Sequence, residues 1–281
     1  MSKQKKVFLT GCSSGIGLIT ALRFARKGWN VFASVRKESD AQRLKAQGNI
    51  RVLILDVTDR EACQRAFETY GPFDAVVNNA GFGQMGPLED VSEEELRYQF
   101  EVNVFAIHRI IRLALPHMRQ KRSGCIVNVG SVVGRFTFPL GGAYCATKHA
   151  LRAMSDALRA ELLPYGVRVV LIEPGPVATG FTDRAEKSFA QDRTGAYSDW
   201  RKAASILFKE RGVKGASPER VAKVIVRCCE NRFALSKIVI TKRGWMMIWL
   251  RRLLPDFIWD RLMVIAAGAW RISQNKAKND G

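Results

Sequence analysis

The chain has 281 residues, of which 47% are hydrophobic, which is enough for one large α/β domain but too few for a second full domain to be expected. The formal net charge is +19, and residues 201–281 hold eighteen Lys or Arg against six Asp or Glu, so positive charge is concentrated near the C-terminus. No nucleic-acid-binding motif accompanies this charge, and we expect no nucleic-acid partner.

The cysteines and the termini exclude several other classes. Six cysteines without regular spacing favour free buried thiols over a disulfide framework. The basic N-terminus is followed by only four strand-like residues before Gly11, which is too short for a signal peptide. No uncharged stretch near the C-terminus reaches the roughly 18 to 20 residues that span a bilayer. We expect a cytoplasmic protein without a transmembrane helix.

Short runs of β-branched and apolar residues alternate along the chain with segments of helical periodicity. Strands are expected at 6–10, 30–35, 50–55, 75–78, 125–130, 168–173 and 237–241. Helices are expected at 16–27, 61–70, 93–120, 143–163 and 218–231. This alternation predicts an α/β fold with a doubly wound parallel sheet of the Rossmann type, in which ligands bind beyond the carboxyl ends of the strands.

A glycine-rich turn, Thr-Gly-Cys-Ser-Ser-Gly-Ile-Gly, follows the first strand and leads into the first helix. Glycines allow the backbone to approach a pyrophosphate, whose charge the helix N-terminus then meets. A purely structural turn is the alternative, but the position between strand and helix favours a dinucleotide site. Its candidate residues are Gly11, Ser13, Ser14, Gly15, Ile16 and Gly17.

The end of the second strand indicates which dinucleotide binds. Arg36 and Lys37 follow this strand, where an enzyme that prefers NAD carries an Asp or Glu for the ribose 2′-hydroxyl. Arg36 can instead form charge-assisted hydrogen bonds to a 2′-phosphate. We predict NADP(H) as the cofactor; the alternative is that both residues are a solvated surface pair.

Taken in order, the motifs resemble those of the short-chain dehydrogenase/reductase superfamily over roughly residues 6–241. Each motif alone is common, so their order and spacing carry the resemblance. They are the turn at 10–17, Asp56, the Asn-Asn-Ala-Gly sequence at 78–81, Asn103, Ser131, Tyr144-x-x-x-Lys148 and Pro174-Gly175.

Tyr144 fits the proton transfer that accompanies movement of a hydride to or from a carbonyl carbon. A phenol titrates near about 10, and Lys148, four residues further along the expected helix, can stabilise the phenolate. Ser131 ends the fifth strand and can hydrogen-bond the substrate oxygen. Taken separately, a Tyr and a Lys at this spacing are usually an exposed polar pair, and a Ser at the end of a strand is usually a cap or turn residue. The family resemblance adds Asn103, which would position a water chain to Lys148.

The resemblance also implies the remaining cofactor contacts. Lys148 would also hold the nicotinamide ribose, and Tyr144 would be a further cofactor contact. The other residues implied are Asp56 and Val57 at the adenine, Asn79, Ala80 and Gly81 along the adenosine ribose, Pro174 and Gly175 after the sixth strand, and Val177 and Thr179 at the carboxamide. Cys145 is expected to be a packing residue, and His108, His117 and His149 lack metal-ligand spacing, so no catalytic metal is predicted.

Two segments are expected to determine the substrate. By resemblance, residues 180–215 form a lid over it; the alternative is that their aromatic residues only anchor surface helices. Residues 244–281, after a catalytic domain at 1–243, begin with two apolar, Arg-edged helices broken at Pro255 and end in a polar tail with no expected order. Within this extension, residues 244–271 could cover the cavity, contact a membrane peripherally or join subunits in a homo-oligomer.

The sequence as a whole is most similar to the branch of the superfamily that contains 17β-hydroxysteroid and retinol dehydrogenases. This implies an NADPH-dependent reductase of a small lipophilic carbonyl compound, such as a steroid, a retinoid or a long-chain carbonyl. Two alternatives stay open: an alcohol dehydrogenase that works oxidatively, and a protein that senses NADP(H) without turnover.

Overall fold

The computed structural model describes residues 4–45, 49–181, 185, 189–204 and 215–266. They include a seven-stranded parallel sheet with the strand order β3-β2-β1-β4-β5-β6-β7. Its strands are β1 (Lys6–Leu9), β2 (Asn30–Val35), β3 (Ile50–Ile54), β4 (Ala75–Asn78), β5 (Gly124–Val129), β6 (Val167–Glu173) and β7 (Lys237–Val239). The strand order reverses between β1 and β4, so a ligand crevice lies beyond the carboxyl ends of these two strands.

Helices connect the strands and cover both faces of the sheet. They are α1 (Gly15–Arg26), α2 (Glu38–Lys45), α3 (Arg60–Tyr70), α4 (Glu93–Phe100), α5 (Ala106–Gln120), α6 (Gly142–Leu162), α7 (Pro218–Glu230), α8 (Lys242–Leu253) and α9 (Asp256–Ala266). A further helical segment is described over 198–204.

The side chains of β1 show how the two layers form. Val7 and Leu9 belong to the hydrophobic cluster that includes residues of α1 and α7. Phe8, between them, belongs to the cluster that includes residues of α5 and α6. Successive side chains of a strand point to opposite faces, so a continuous apolar run contributes to both cores. The predicted doubly wound parallel sheet is confirmed, with all seven predicted strands.

The structure differs from the predicted elements in two places. The helix expected over 93–120 consists of α4, a π-helical turn at Glu101–Phe105, and α5, because a π turn hardly disturbs the periodicity of a helix. Helix α2 was not predicted, since its eight residues include only two apolar ones, Ala41 and Leu44.

The C-terminal helix pair is present, with Pro255 between α8 and α9. Helix α8 begins at Lys242, two residues before the predicted boundary, because Thr241 Oγ1 caps it by accepting a hydrogen bond from Gly244 N at 3.1 Å. In the described part of the chain, no helix is both long and apolar enough to cross a membrane. The tail expected to lack order, residues 272–281, lies outside the described residues.

Candidate active site

The glycine-rich turn after β1 has the geometry that a pyrophosphate requires. Gly11 and Gly15 adopt left-handed backbone conformations, with φ of 70° and 57°. At the start of α1, the side chain of Ser14 makes no capping hydrogen bond, and the first turn contains no acidic residue. A Cβ atom on Gly17 would lie 2.1 Å from the carbonyl oxygen of Gly11, so only glycine allows this close packing. The backbone at the helix N-terminus therefore fits a bound phosphate anion.

Asn79, after β4, holds this turn in place through hydrogen bonds. Its Nδ2 donates to the carbonyl oxygens of Thr10 at 2.9 Å and Gly11 at 3.0 Å. Thr10 Oγ1 in turn accepts from the backbone N–H groups of Asn79 and Ala80 at 3.0 and 2.9 Å. The amide of Asn79 thus holds the turn in shape, while Asn79, Ala80 and Gly81 all line the cavity.

Arg36, Asp56 and Val57 line the cavity at the ends of β2 and β3, at the site predicted for the adenosine. Arg36 is exposed and comes directly after the strand. The backbone N–H of Cys12 donates to the carbonyl oxygen of Ser34 at 2.9 Å and ties the glycine-rich turn to the end of β2. A cationic side chain therefore lies close to the phosphate-binding turn, where it can meet a 2′-phosphate.

Strand β5 and helix α6 bring together the three residues predicted to react. Ser131 caps the short 3-10 turn Val132–Gly134 after β5, and its side chain lies close enough to Tyr144 to oppose the rise in the pKa of this phenol. Tyr144 and Lys148 lie one turn apart on α6, with Lys148 Nζ 5.7 Å from the centre of the phenol ring. Lys148 Nζ also donates to the carbonyl oxygen of Val129 at 3.0 Å.

Burial determines the pKa of both ionisable groups. It raises the pKa of Tyr144 well above 10; the neighbouring Cys145 adds to this increase, and the hydrogen bond from Ser131 opposes it. Burial also lowers the pKa of Lys148 to about 8, because loss of water around the ammonium disfavours its charged form. The stabilisation of the phenolate by Lys148 therefore stays a prediction.

Asn103 occupies the middle of the π-helical turn at Glu101–Phe105 and is fully buried. Its Nδ2 donates to Phe82 O at 2.9 Å and to Thr147 Oγ1 at 3.1 Å, and its Oδ1 accepts from Phe82 N at 3.2 Å. Thr147 Oγ1 donates to the carbonyl oxygen of Tyr144 at 2.8 Å. The π turn thus places Asn103 where Thr147 connects it to the backbone that carries Tyr144.

Pro174, Gly175, Val177 and Thr179 follow β6 and line the same cavity. Thr179 lies against the glycine-rich turn, since a Cβ atom on Gly15 would be 3.0 Å from Thr179 Cγ2. The segment after β6 therefore contacts the glycine-rich turn at the start of α1.

The predicted site residues, with the exceptions of Gly17 and Asn103, line one cavity of about 1010 Å³. Gly17 packs behind the glycine-rich turn, and Asn103 is buried beside Thr147. Beyond Tyr144, the wall of this cavity is almost entirely apolar. The apolar side chains there are Met85, Phe136, Phe138, Leu140, Phe181, Met246, Met247, Leu250, Trp259, Leu262 and Met263. Arg243, at the start of α8, is a charged residue that also lines the cavity. Sequence reasoning had pointed to the aromatic residues after β6 and to the C-terminal helices, but it missed Phe136 and Phe138, which only their closeness to Ser131 in the chain could have indicated.

Among the described residues of the expected lid, Phe181, Ala185 and Ala204 line the cavity. The ring of Phe181 packs on Tyr144 with centroids 5.6 Å apart. The segment 189–204 is held to the loop after β4 by the buried Asp90, whose carboxylate accepts from Arg201 Nη2 at 2.6 Å. Ile206 and Phe208, which we included in the lid, lie outside the described residues.

The cysteines and histidines suggest no further chemistry near Tyr144. All six cysteines are free and buried, as predicted, and burial raises the pKa of the Cys145 thiol to about 12. Among the residues that the structure describes, no three His, Cys, Asp or Glu side chains are grouped so that they could hold a metal ion.

Comparison with known proteins identifies the class. The family model for short chain dehydrogenases matches residues 5–189. The protein therefore belongs to the short-chain dehydrogenase/reductase family, and it is an oxidoreductase whose family uses a nicotinamide cofactor.

Its relatives include proteins with and without an assigned substrate. It is 37% identical over 265 residues to the uncharacterized oxidoreductase YbbO of Escherichia coli, an alignment that covers 92% of this chain and 94% of YbbO. It is 34% identical to the 3-ketodihydrosphingosine reductase of Bacteroides thetaiotaomicron, with 79% and 82% covered. It is 35% identical to human 17-beta-hydroxysteroid dehydrogenase type 1, with 78% and 72% covered.

Solved structures confirm the fold and contain either form of the cofactor. The closed form of serine dehydrogenase complexed with NADP+ has a TM-score of 0.71 and 27% identity, with 83% of this chain and 93% of that chain covered. A short chain dehydrogenase/reductase from Burkholderia phymatum in complex with NAD has a TM-score of 0.77 and 27% identity, with 89% and 93% covered.

Proposed function

We propose that the protein is an NADPH-dependent reductase that converts the carbonyl group of a lipophilic molecule into an alcohol. The observation that carries this proposal is the shared cavity. Ser131, Tyr144 and Lys148 line it together with the glycine-rich turn on one side and a wall of Phe, Met and Trp side chains on the other. Residues 1–243 would form the catalytic unit, and the helices from 244 onward would complete its substrate side.

In this proposal the protein positions the substrate oxygen and supplies its proton. When bound, NADPH provides the hydride. Ser131 and Tyr144 line the same cavity and lie next to each other, so both hydroxyls can reach the same substrate oxygen. Tyr144 donates its proton to that oxygen as negative charge develops there. The ammonium group of Lys148 then stabilises the phenolate that is left.

The preference for NADPH is inferred from Arg36. Arg36 comes directly after β2, and it lines the cavity at the end where the adenosine of the cofactor would lie. Asp56 is the other charged residue that lines this end. The Asp56 carboxylate already accepts two hydrogen bonds from a neighbouring residue: its Oδ1 accepts from Thr58 N at 2.9 Å and from Thr58 Oγ1 at 2.8 Å. A 2′-phosphate at this position would therefore meet the free end of Arg36.

The lipophilic substrate is inferred from the cavity wall beyond Tyr144. Burying a methylene group against such a wall contributes about 0.8 kcal/mol, or about a fourfold gain in kcat/KM per methylene. Two relatives are named for lipid substrates, 3-ketodihydrosphingosine and a 17-beta-hydroxysteroid. These names support the substrate class and leave the choice within it to experiment.

A carbonyl screen with matched cofactors tests the proposal. The purified protein is incubated with NADPH or NADH and with ketosteroids, retinal, or aliphatic aldehydes and ketones of increasing chain length. We expect NADPH oxidation on at least one lipophilic compound, with kcat/KM rising with chain length or ring number. The absence of turnover with every carbonyl compound, despite tight NADPH binding, would indicate a sensor instead. Faster oxidation of the corresponding alcohols with NADP+ would indicate the oxidative direction.

A further inference from the structure

The outer face of the C-terminal helix pair carries large apolar side chains. Trp245, Trp249 and Leu253 follow one another at intervals of four residues along α8, so they lie on one side of that helix. Their exposed fractions are 46%, 53% and 72%. On α9, Phe257 and Ile265 are 63% and 53% exposed. Contiguous exposed apolar surface of this kind marks a site of interaction.

The opposite face of the pair is fixed to the protein. Trp259 is buried, and its ring lies 5.7 Å from that of Phe136. Met247, Ile248 and Met263 pack around this contact. A Cβ atom on Gly244 would lie 2.7 Å from Val132 Cγ1, so α8 begins in close contact with the turn after Ser131. The two helices are therefore held with their apolar outer face toward solvent.

Basic side chains border this face. Residues 242–266 contain five Lys or Arg and two Asp. One of the two acids, Asp256, is paired with Arg251 Nη2 at 2.5 Å. Arg252 and Arg261 are exposed, and Arg252 Cζ lies 5.9 Å from the Trp249 ring centre. Exposed Trp next to Arg is the pattern of a helix that lies in the interface of an anionic membrane, with rings at the headgroups and guanidinium groups at the lipid phosphates.

The cavity wall and the outer face meet at the same side chains. Met246 and Leu250 on α8, and Leu262 and Ala266 on α9, line the cavity and are also exposed. They form part of its rim, so the cavity reaches the surface where the two helices present their apolar face.

We propose that the outer face of α8 and α9 docks on an anionic lipid bilayer and that the lipophilic substrate enters the cavity from the bilayer, between these two helices. The partner that we propose for this face is thus a lipid surface. The exposed apolar side chains suit its hydrocarbon region, and the basic residues beside them suit its anionic headgroups. The docking stands on the exposed face alone; the entry of substrate rests also on the proposed function.

Flotation of the full-length protein with lipid vesicles tests the docking. Vesicles are made of phosphatidylcholine alone or of phosphatidylcholine with phosphatidylglycerol. We expect flotation with the anionic vesicles and its loss at high salt. The double variant Trp245→Ser/Trp249→Ser should need about tenfold more lipid for half-maximal binding. The double variant Arg252→Ser/Arg261→Ser should weaken binding to the anionic vesicles and leave binding to the phosphatidylcholine vesicles unchanged.

A matched control uses exposed apolar residues elsewhere. Phe233 and Leu235, before β7, are 84% and 74% exposed and do not line the cavity. The variant Phe233→Ser/Leu235→Ser should float as the wild type does. Absence of wild-type flotation, or equal flotation of the Trp and control variants, would overturn the proposal. So would a dimer that the Trp substitutions dissociate without any vesicle binding, because the face would then join two copies of the chain.

Activity measured with two forms of substrate tests the entry route. The Trp variant should lose activity several-fold toward a long-chain carbonyl embedded in anionic vesicles and retain it toward a short, water-soluble carbonyl. Equal activity of the Trp variant and the wild type toward the embedded substrate would overturn the route. If no carbonyl is reduced at all, the proposed function fails, while flotation still decides the docking.

Discussion

Arg135 and Glu173 form a buried ion pair that joins the two loops flanking the site. Arg135 Nε donates to both carboxylate oxygens of Glu173, at 2.8 and 3.0 Å, and the Glu173 side chain is only 1% exposed. Arg135 follows the turn that begins at Ser131, and Glu173 directly precedes Pro174. The backbone N–H of Val132 also donates to Pro174 O at 3.0 Å. The pair thereby fixes the strand end that carries Ser131 relative to the loop after β6.

Replacing Arg135 should destabilise the fold strongly. The variant Arg135→Leu leaves the carboxylate of Glu173 buried, with Arg152 Nε at 3.8 Å as its nearest cation among the described residues. We expect the free energy of unfolding, measured in urea, to fall by about 3 kcal/mol. As a control, Arg65→Leu, which breaks an exposed pair with Glu61, should cost less than about 1 kcal/mol. Similar losses in both variants would mean that the buried pair has no special role.

Arg36 should determine the cofactor preference. The variant Arg36→Asp removes a cation and places a repulsive charge beside a 2′-phosphate. Losing a charged hydrogen bond costs about 1.5 to 3 kcal/mol, so the Kd for NADPH should rise at least about tenfold, whereas that for NADH stays within a few fold. Isothermal titration measures both. Lys37→Ser, which changes a neighbour that does not line the cavity, is the control; an equal effect in both variants would contradict the role of Arg36.

The pH dependence of reduction should follow Lys148. Burial lowers its pKa to about 8, so the ammonium group is present below this pH and lost above it. Because the ammonium stabilises the developing phenolate, kcat/KM for reduction should be level below pH 8 and fall by up to about tenfold per pH unit above it. Tyr144 cannot cause this fall, since burial raises its pKa well above 10.

A matched variant checks this assignment. Lys148→Arg keeps its charge at alkaline pH, so whatever activity remains should lose the fall above pH 8. An unchanged profile in that variant would assign the ionisation to another group. Because folding lowers the pKa of Lys148, the charged side chain should also destabilise the fold fully below pH 8, and this cost should be relieved as the pH rises toward 10.5.

Local sequence pattern was enough to predict the sheet, and it failed where structure depends on distant partners. The strands were evident because buried β-branched runs are continuous, and the glycine-rich turn because Gly11 and Gly15 require positive φ. Helix α2 has too few apolar residues for a helical periodicity to be detected. The π turn around Asn103 lies within an unbroken helical pattern of apolar residues, so the sequence did not reveal it. The pair Arg135 and Glu173 is separated by 38 residues, so no spacing rule could join them.

The site shows the same division between local and distant relationships. The spacing of Tyr144 and Lys148 predicted their shared face, but not the burial that sets both pKa values. Asn79 was expected along the cofactor, and only the fold shows its amide holding the turn at Thr10 and Gly11. The apolar helices at the C-terminus were evident, yet which of their side chains face the cavity depended on the buried contact of Trp259 with Phe136.

The most direct test of the account is a comparison of the wild type with Tyr144→Phe. Phenylalanine keeps the ring that packs on Phe181 and removes only the hydroxyl that donates the proton. We measure the Kd for NADPH and the rate of NADPH oxidation in a single turnover, with the best carbonyl compound from the screen. The account predicts a Kd within a few fold of the wild type and no measurable turnover. A variant that binds NADPH normally and reduces the carbonyl compound at the wild-type rate would contradict it.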